Sequence, residues 1–193
     1  MKKQLHLPSQ EGFDKFRKIL ESNDFLFEDE KKFLDDFLKI PIKERVRKLN
    51  AIYRTRISLV VLEEIASFIS SELNFNDRLE SADYSVVHEI MCGHNKKRED
   101  ETPVEYFSFA TKYCYHCHPD KYPIYDSVNM NVMKIYYGYE FKRRDSSNNY
   151  EEYVECFNAF CGFLGYSKLE RRDGFYIDKY IQALGGINRK YLF

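Results

Sequence analysis

Residues 108–128 read SFATKYCYHCHPDKYPIYDSV, and two helices separated by a proline-marked turn can be read from them. Tyr106, Phe109, Ala110 and Tyr113 recur at helical spacing, and that helix has to end before Pro119, whose ring and missing N–H break the ladder. A second helix is expected to open at Asp126 or Ser127 and to carry Val128, Val132, Ile135 and Tyr136 on its apolar face. Aspartate is a strong N-cap residue, so Asp126 is either a helix start, a reactive carboxylate, or both.

The same period extends outward in both directions. Phe13, Phe16, Ile19 and Leu20 mark a first helix, and Phe33, Leu34, Phe37 and Leu38 a second that stops near Pro41. Val46, Leu49, Ile52 and Tyr53 mark a third, LVVLEEIASFISSEL (59–73) a buried fourth, and Val86, Val87, Ile90 and Met91 another that ends at Gly93. Downstream, Tyr153, Val154, Phe157, Phe160, Cys161 and Leu164 lead to Gly165, and Phe175, Ile177, Tyr180, Ile181 and Leu184 lead to Gly185 and Gly186. HNKKREDET (94–102) and KRRDSSNN (142–149) read as polar loops. Strand-type alternation is missing, so the expected fold class is all-α, a compact multi-helix domain of about eight to ten helices. One domain over residues 1–193 is expected, with 1–93 and 94–193 as candidate lobes flanking a cleft.

Composition narrows the function classes. The formal charge is −1, so no global positive field draws the chain to nucleic acid, and any such contact has to come from local clusters. Sixteen Tyr and sixteen Phe without a single Trp place large rings both in cores and at boundaries, where a tyrosine hydroxyl reaches water or a partner. No apolar run approaches a membrane span, and a cytoplasmic protein is expected. Five cysteines at irregular spacing fit reduced thiols rather than a disulfide framework. There is no phosphate-binding G-x-x-x-x-G-K-[ST] loop and no paired-carboxylate metal motif, which argues against a nucleotide hydrolase or nuclease.

The segment CYHCH offers Cys114 and Cys117 at C-x-x-C spacing, with His116 and His118 beside them. A closed zinc site needs a second ligand pair, from Cys156 and Cys161 or from His88, Cys92 and His94, and neither set has knuckle spacing. Residues three apart share a helix face, so Cys114 and Cys117 read better as small core residues. Neither metal nor other cofactor is expected, and a zinc-stabilised interaction module is the alternative.

The helix FSFATKYC, a short turn, and then PIYDSV opening a further helix resemble the helix-hairpin-helix DNA glycosylase superfamily. FATKYC followed by YPIYDS, with a terminal IDKY-x-x-x-LG, is also similar to a group of uncharacterised bacterial proteins. The superfamily resemblance rests on Pro123, Ile124, Asp126 and Val128, and implies that Asp126 is a catalytic carboxylate at a helix start. Bifunctional members carry a lysine nucleophile upstream. Lys112, the other catalytic candidate, lies closer to the aspartate than that pattern, so the resemblance implies a monofunctional enzyme using water. ETPVEYFSFATKY holds no glycine where the family's hairpin reads L-P-G-V-G-x-x-T-A.

The implied reaction hydrolyses the N-glycosidic bond of a modified or damaged base, in repair or phage defence, with DNA as partner. A flipped base is sandwiched by aromatic rings in such chemistry, and Tyr113, Tyr122, Tyr125, Tyr136 and Tyr137 are the candidates. Lys96, Lys97, Arg98, Lys134, Lys142, Arg143 and Arg144 are the candidate phosphate contacts. The same scaffold without chemistry, as a DNA-binding or protein-interaction module, is the second expectation.

Overall fold

The computed structural model describes residues 8–23, 27–95, 97, 104–137 and 146–186, with the side chains of 137 and 146–149 left aside. Among the described residues there are ten α-helices, one 3-10 turn and no β-strand, so the all-α expectation holds. None of these helices is long and apolar enough to cross a membrane. The chain forms two compact units, Met1–Glu28 with Pro119–Phe193, and Asp29–His118. The division therefore falls at Pro119, not at the polar loop after residue 93, because the helices on either side of that loop pack on each other.

The unit Asp29–His118 takes in all but the first residue of α2 (Glu28–Asp36), then a 3-10 turn (Phe37–Lys39), α3 (Ile42–Tyr53), α4 (Leu59–Ser71), α5 (Phe75–Glu80), α6 (Ser85–Cys92) and α7 (Phe107–Cys117). Pro41 sets the entry to α3, its carbonyl accepting from Glu44 and Arg45 N–H. The exit is at Arg54, in the left-handed region with φ 50°, and Asn50 fixes the next turn by accepting from the Thr55 hydroxyl and the Ile57 amide. Helix α4 buries Val61, Leu62, Ile65, Ala66 and Ile69. Helix α5 escapes the sequence reading, because six residues with only Phe75 and Leu79 buried cannot show a period. It is tied to α6 by Arg78, whose Nε bonds Asp83 and whose two terminal guanidinium nitrogens grip Glu89 at 2.8 and 2.6 Å.

Helix α7 packs on α3, α6 and the 3-10 turn, and every residue from Phe109 to Cys117 is buried. A helix covered all round loses the amphipathic stripe that distinguishes core from site positions in a sequence.

The other unit contains α1 (Gln10–Ser22), α8 (Ser127–Tyr137), α9 (Ser146–Phe163) and α10 (Arg171–Leu184). Ser9 caps α1 by accepting from Gly12 N–H at 3.0 Å, and Phe13 and Phe16 meet the Tyr180 ring of α10 at 5.3 and 5.5 Å. Helix α10 starts with a reciprocal box between Glu170 and Asp173, and Arg17 adds a 3.0 Å ion pair to Asp173. Helix α9 begins at Ser146, so Ser146–Asn149, read as loop, is its first turn. Serine and asparagine are poor interior formers but good starters, and composition alone cannot distinguish that turn from a loop.

Candidate active site at the start of helix α8

The backbone entering α8 is held from several sides. Tyr122, Pro123 and Ile124 are buried. The Pro123 carbonyl accepts from the Tyr150 hydroxyl at 2.9 Å, and the Ile124 carbonyl accepts from the Tyr153 hydroxyl at 2.7 Å and from Asn129 Nδ2 at 3.0 Å. The next two residues, Tyr125 and Asp126, are half-buried. Asp126 Oδ1 accepts from the Val128 and Asn129 amides at 3.0 Å each, and its carbonyl accepts from Met130 N–H. Such a cap stabilises a helix by about 1 kcal/mol and also fixes the direction of the carboxylate.

Asn129 extends this anchoring into the core. Its amide also donates to Asp178 Oδ1 at 2.9 Å, and Asp178 Oδ2 accepts from Gln182 Nε2 at 2.8 Å. Lys179 Nζ lies 3.6 Å from the same carboxylate and about equally far from the Phe27 and Phe175 ring centroids, at 5.3 and 5.4 Å. Asp178 and Lys179 are 2% and 4% exposed, so these charges belong to the interior. The Tyr153 phenol is pushed well above its ordinary range, first by burial and then by the Asp178 and Asp126 charges. Sequence reasoning assigns no site role to Asn129, Tyr150, Asp178 or Lys179, and reads Tyr153 only as part of a helix's apolar face. The available signal was IDKY (177–180), an acid and a base set between the apolar Phe175, Ile177, Ile181 and Leu184 of the expected helix.

The aromatic candidates separate. Tyr125 stays half-buried, edge-on to Tyr153 at 5.1 Å, and Tyr136 is half-buried on α8. Tyr113 and Tyr122 have no exposure and are core residues, which corrects the expectation that their rings face a base. Tyr113 packs against Phe37 and Phe75 in the all-round buried α7, and burial drives its phenol pKa upward. The Tyr137 side chain, Lys96, Arg98, Lys142, Arg143 and Arg144 lie outside the described residues. Lys97 and Lys134 are exposed. Lys112 belongs to the unit Asp29–His118, whereas Asp126 belongs to the other. It is 6% exposed, donates to Ser108 Oγ at 2.6 Å and lies 5.2 Å from the Tyr53 ring centroid.

The CYHCH side chains diverge. Cys114 and Cys117 are buried, and burial followed by the Cys117 charge holds the Cys114 thiol well above its usual range. His116 Nε2 meets the Tyr53 hydroxyl at 3.0 Å, with the Phe33 and Phe37 rings at 4.8 and 5.1 Å. His118 Nδ1 lies 3.4 Å from Glu80. Among the described residues no group of three or more His, Cys, Asp or Glu side chains is placed to hold a metal ion. None of the five cysteines is in a disulfide, and only Cys92 is exposed. A thiol reagent on the native protein should therefore label Cys92 first, with the rest reacting after denaturation; mass mapping of labelled peptides checks this.

The family model of the HI_0787_N N-terminal domain matches residues 8–121. A Haemophilus influenzae protein, described as uncharacterized, is 31% identical over 137 residues, covering 67% of this chain. The match spans 63% of that relative's own length. No solved structure matches the chain. The family match takes in α1 to α7 and stops before Pro123 and Asp126.

Proposed function

The chain belongs to the HI_0787_N N-terminal domain family, and we propose that this member is a DNA glycosylase-like hydrolase, cytoplasmic, acting on a modified or damaged base in repair or phage defence. The observation that carries the reading is the Asp126 carboxylate. It is half-buried, aimed by two backbone amides, and set on a segment whose carbonyls are pinned by Tyr150, Tyr153 and Asn129. Cleaving an N-glycosidic bond leaves positive charge on the sugar, and a carboxylate already fixed in place stabilises that charge without reorganising. Water adds to the anomeric carbon as the base leaves with the bonding pair; the water proton passes to Asp126 or to the departing base. Tyr125, half-buried and next to Asp126 in the chain, is the ring this reading assigns to stacking on a flipped base. Lys134, exposed on the same helix, offers a phosphate contact. Lys112 takes no part in this water-based reaction.

Asp126→Asn tests the reading cleanly, because asparagine caps a helix about as well as aspartate and keeps the accepting oxygen. Abasic-site formation on duplexes carrying modified bases should fall about 10²–10⁴-fold while the helical circular dichroism is unchanged. Undiminished activity in that variant overturns the assignment. The second reading is a DNA-binding module without chemistry, favoured by the glycine-free ETPVEYFSFATKY and by the core positions of Tyr113 and Tyr122. It calls for salt-dependent DNA binding with no abasic product on any substrate.

A further inference from the structure

A cavity of about 410 Å³ in the unit Asp29–His118 is lined in part by Arg45, Glu72, Asp77, Tyr113 and the apolar Ile69 and Phe75. Its size falls at the lower end of the range for small-molecule sites. The charged groups around it form no ion pair among the described residues. The Arg45 guanidinium is fixed by Nε on the Ile40 carbonyl at 2.8 Å and Nη2 on the Leu38 carbonyl at 2.7 Å, with the Phe37 ring 5.6 Å away. It has no carboxylate partner among the described residues, and neither Glu72 nor Asp77 has a cationic one.

Tyr113 supplies the independent observation. Its side chain has no exposure, and its hydroxyl is buried without a hydrogen-bond partner among the described residues. Burial pushes the phenol pKa up, and the Arg45 charge and a loose side-chain contact from its guanidinium draw it down by less. That contact falls short of hydrogen-bond geometry, and a guanidinium can only donate, so the phenol O–H has no acceptor among the described residues. Buried hydroxyls are almost always satisfied, so the unmade bond of a tyrosine that lines a cavity marks a candidate place for an incoming acceptor. The larger cavity nearby, about 750 Å³ around Arg78, Glu64 and Glu89, differs in this respect. There Arg78 is already held by Asp83 and Glu89, and Glu64 accepts from Asn95 N–H.

We propose that the Arg45–Tyr113 cavity binds a small zwitterion of the amino-acid class. Its carboxylate sits on the guanidinium and the phenol hydroxyl, and its ammonium faces Glu72 and Asp77. The fixed guanidinium and the rigid tyrosine are ordered before binding, which lowers the entropic cost of a weak ligand. This site does not depend on the chemistry of Asp126.

The test is thermal denaturation and calorimetry of the full chain with each of the free L-amino acids. Acetate and methylamine, the two isolated halves, serve as controls. At least one amino acid should raise the midpoint while neither half does. Tyr113→Phe should raise the midpoint of the ligand-free protein, because it deletes the unmade bond, and should weaken the ligand about tenfold. Asp77→Asn, on an exposed residue that leaves the core intact, should also weaken binding. No shift from any amino acid overturns the proposal, as does unaltered binding in both variants or a full shift from acetate alone.

Discussion

Gly174→Ala should destabilise the protein by about 3 kcal/mol, near the upper end of what overpacking costs. In the interior of α10, alanine would ordinarily be worth about 1 kcal/mol more than glycine. Here an added Cβ would sit 2.1 Å from the Pro119 carbonyl oxygen and 2.6 Å from its carbon. Those are backbone atoms, and the same stretch of chain leads into the pinned residues Pro123 and Ile124, so it cannot swing aside like a side chain. The melting midpoint should fall by about 6–12 °C, using the scaling for chains of this size. Gly162 is the internal control. It lies in α9 with nothing within 4 Å of a built Cβ, so Gly162→Ala should leave the midpoint unchanged or raise it slightly. Equal effects of the two substitutions would mean that α10 does not lie against Pro119 as described.

Asp178→Ala should cost about 3–5 kcal/mol, the range for removing one member of a buried ionic group. The loss removes the acceptor for Asn129 and for Gln182 and takes away the carboxylate 3.6 Å from Lys179. The consequence reaches the candidate site, because Asn129 also holds the Ile124 carbonyl two residues before Asp126. Denaturant unfolding measures the stability term. Limited proteolysis across residues 119–130 should show faster cleavage in the variant than in a surface substitution of equal stability. Asp178→Asn keeps an acceptor for Asn129 and should fall between the variant and the wild type. A stability equal to wild type in Asp178→Ala would show that the carboxylate is not part of the core.

Most of the helices were legible because burying one face of a helix imposes a 3.6-residue period, and Phe13, Phe16 and Leu20 of α1 or Val61, Leu62, Ile65 and Ile69 of α4 display it directly. Helix α5 was not, since two buried residues in six carry no period. The candidate site was legible at Asp126, where local capping chemistry and chain position coincide. Its supports were not. Tyr150 and Tyr153 lie 24 and 27 residues beyond Asp126, and nothing local says that their hydroxyls end on the Pro123 and Ile124 carbonyls.

Local physics, acting through periodicity, proline breaks and caps, was enough to set the all-α class and to place a carboxylate at the start of α8. Which tyrosines, lysines and aspartates lie inside was settled by packing. Tyr113 and Tyr125 look alike in sequence, yet one has no exposure and the other is half-exposed, because α7 is covered on every side. A polar group's fate depends on whether neighbours distant in the chain supply its hydrogen bonds. For Asp178 one does, Asn129, 49 residues away, alongside Gln182 one turn on in the same helix. For the Tyr113 hydroxyl they do not, and Tyr113 lines a cavity no sequence period could reveal.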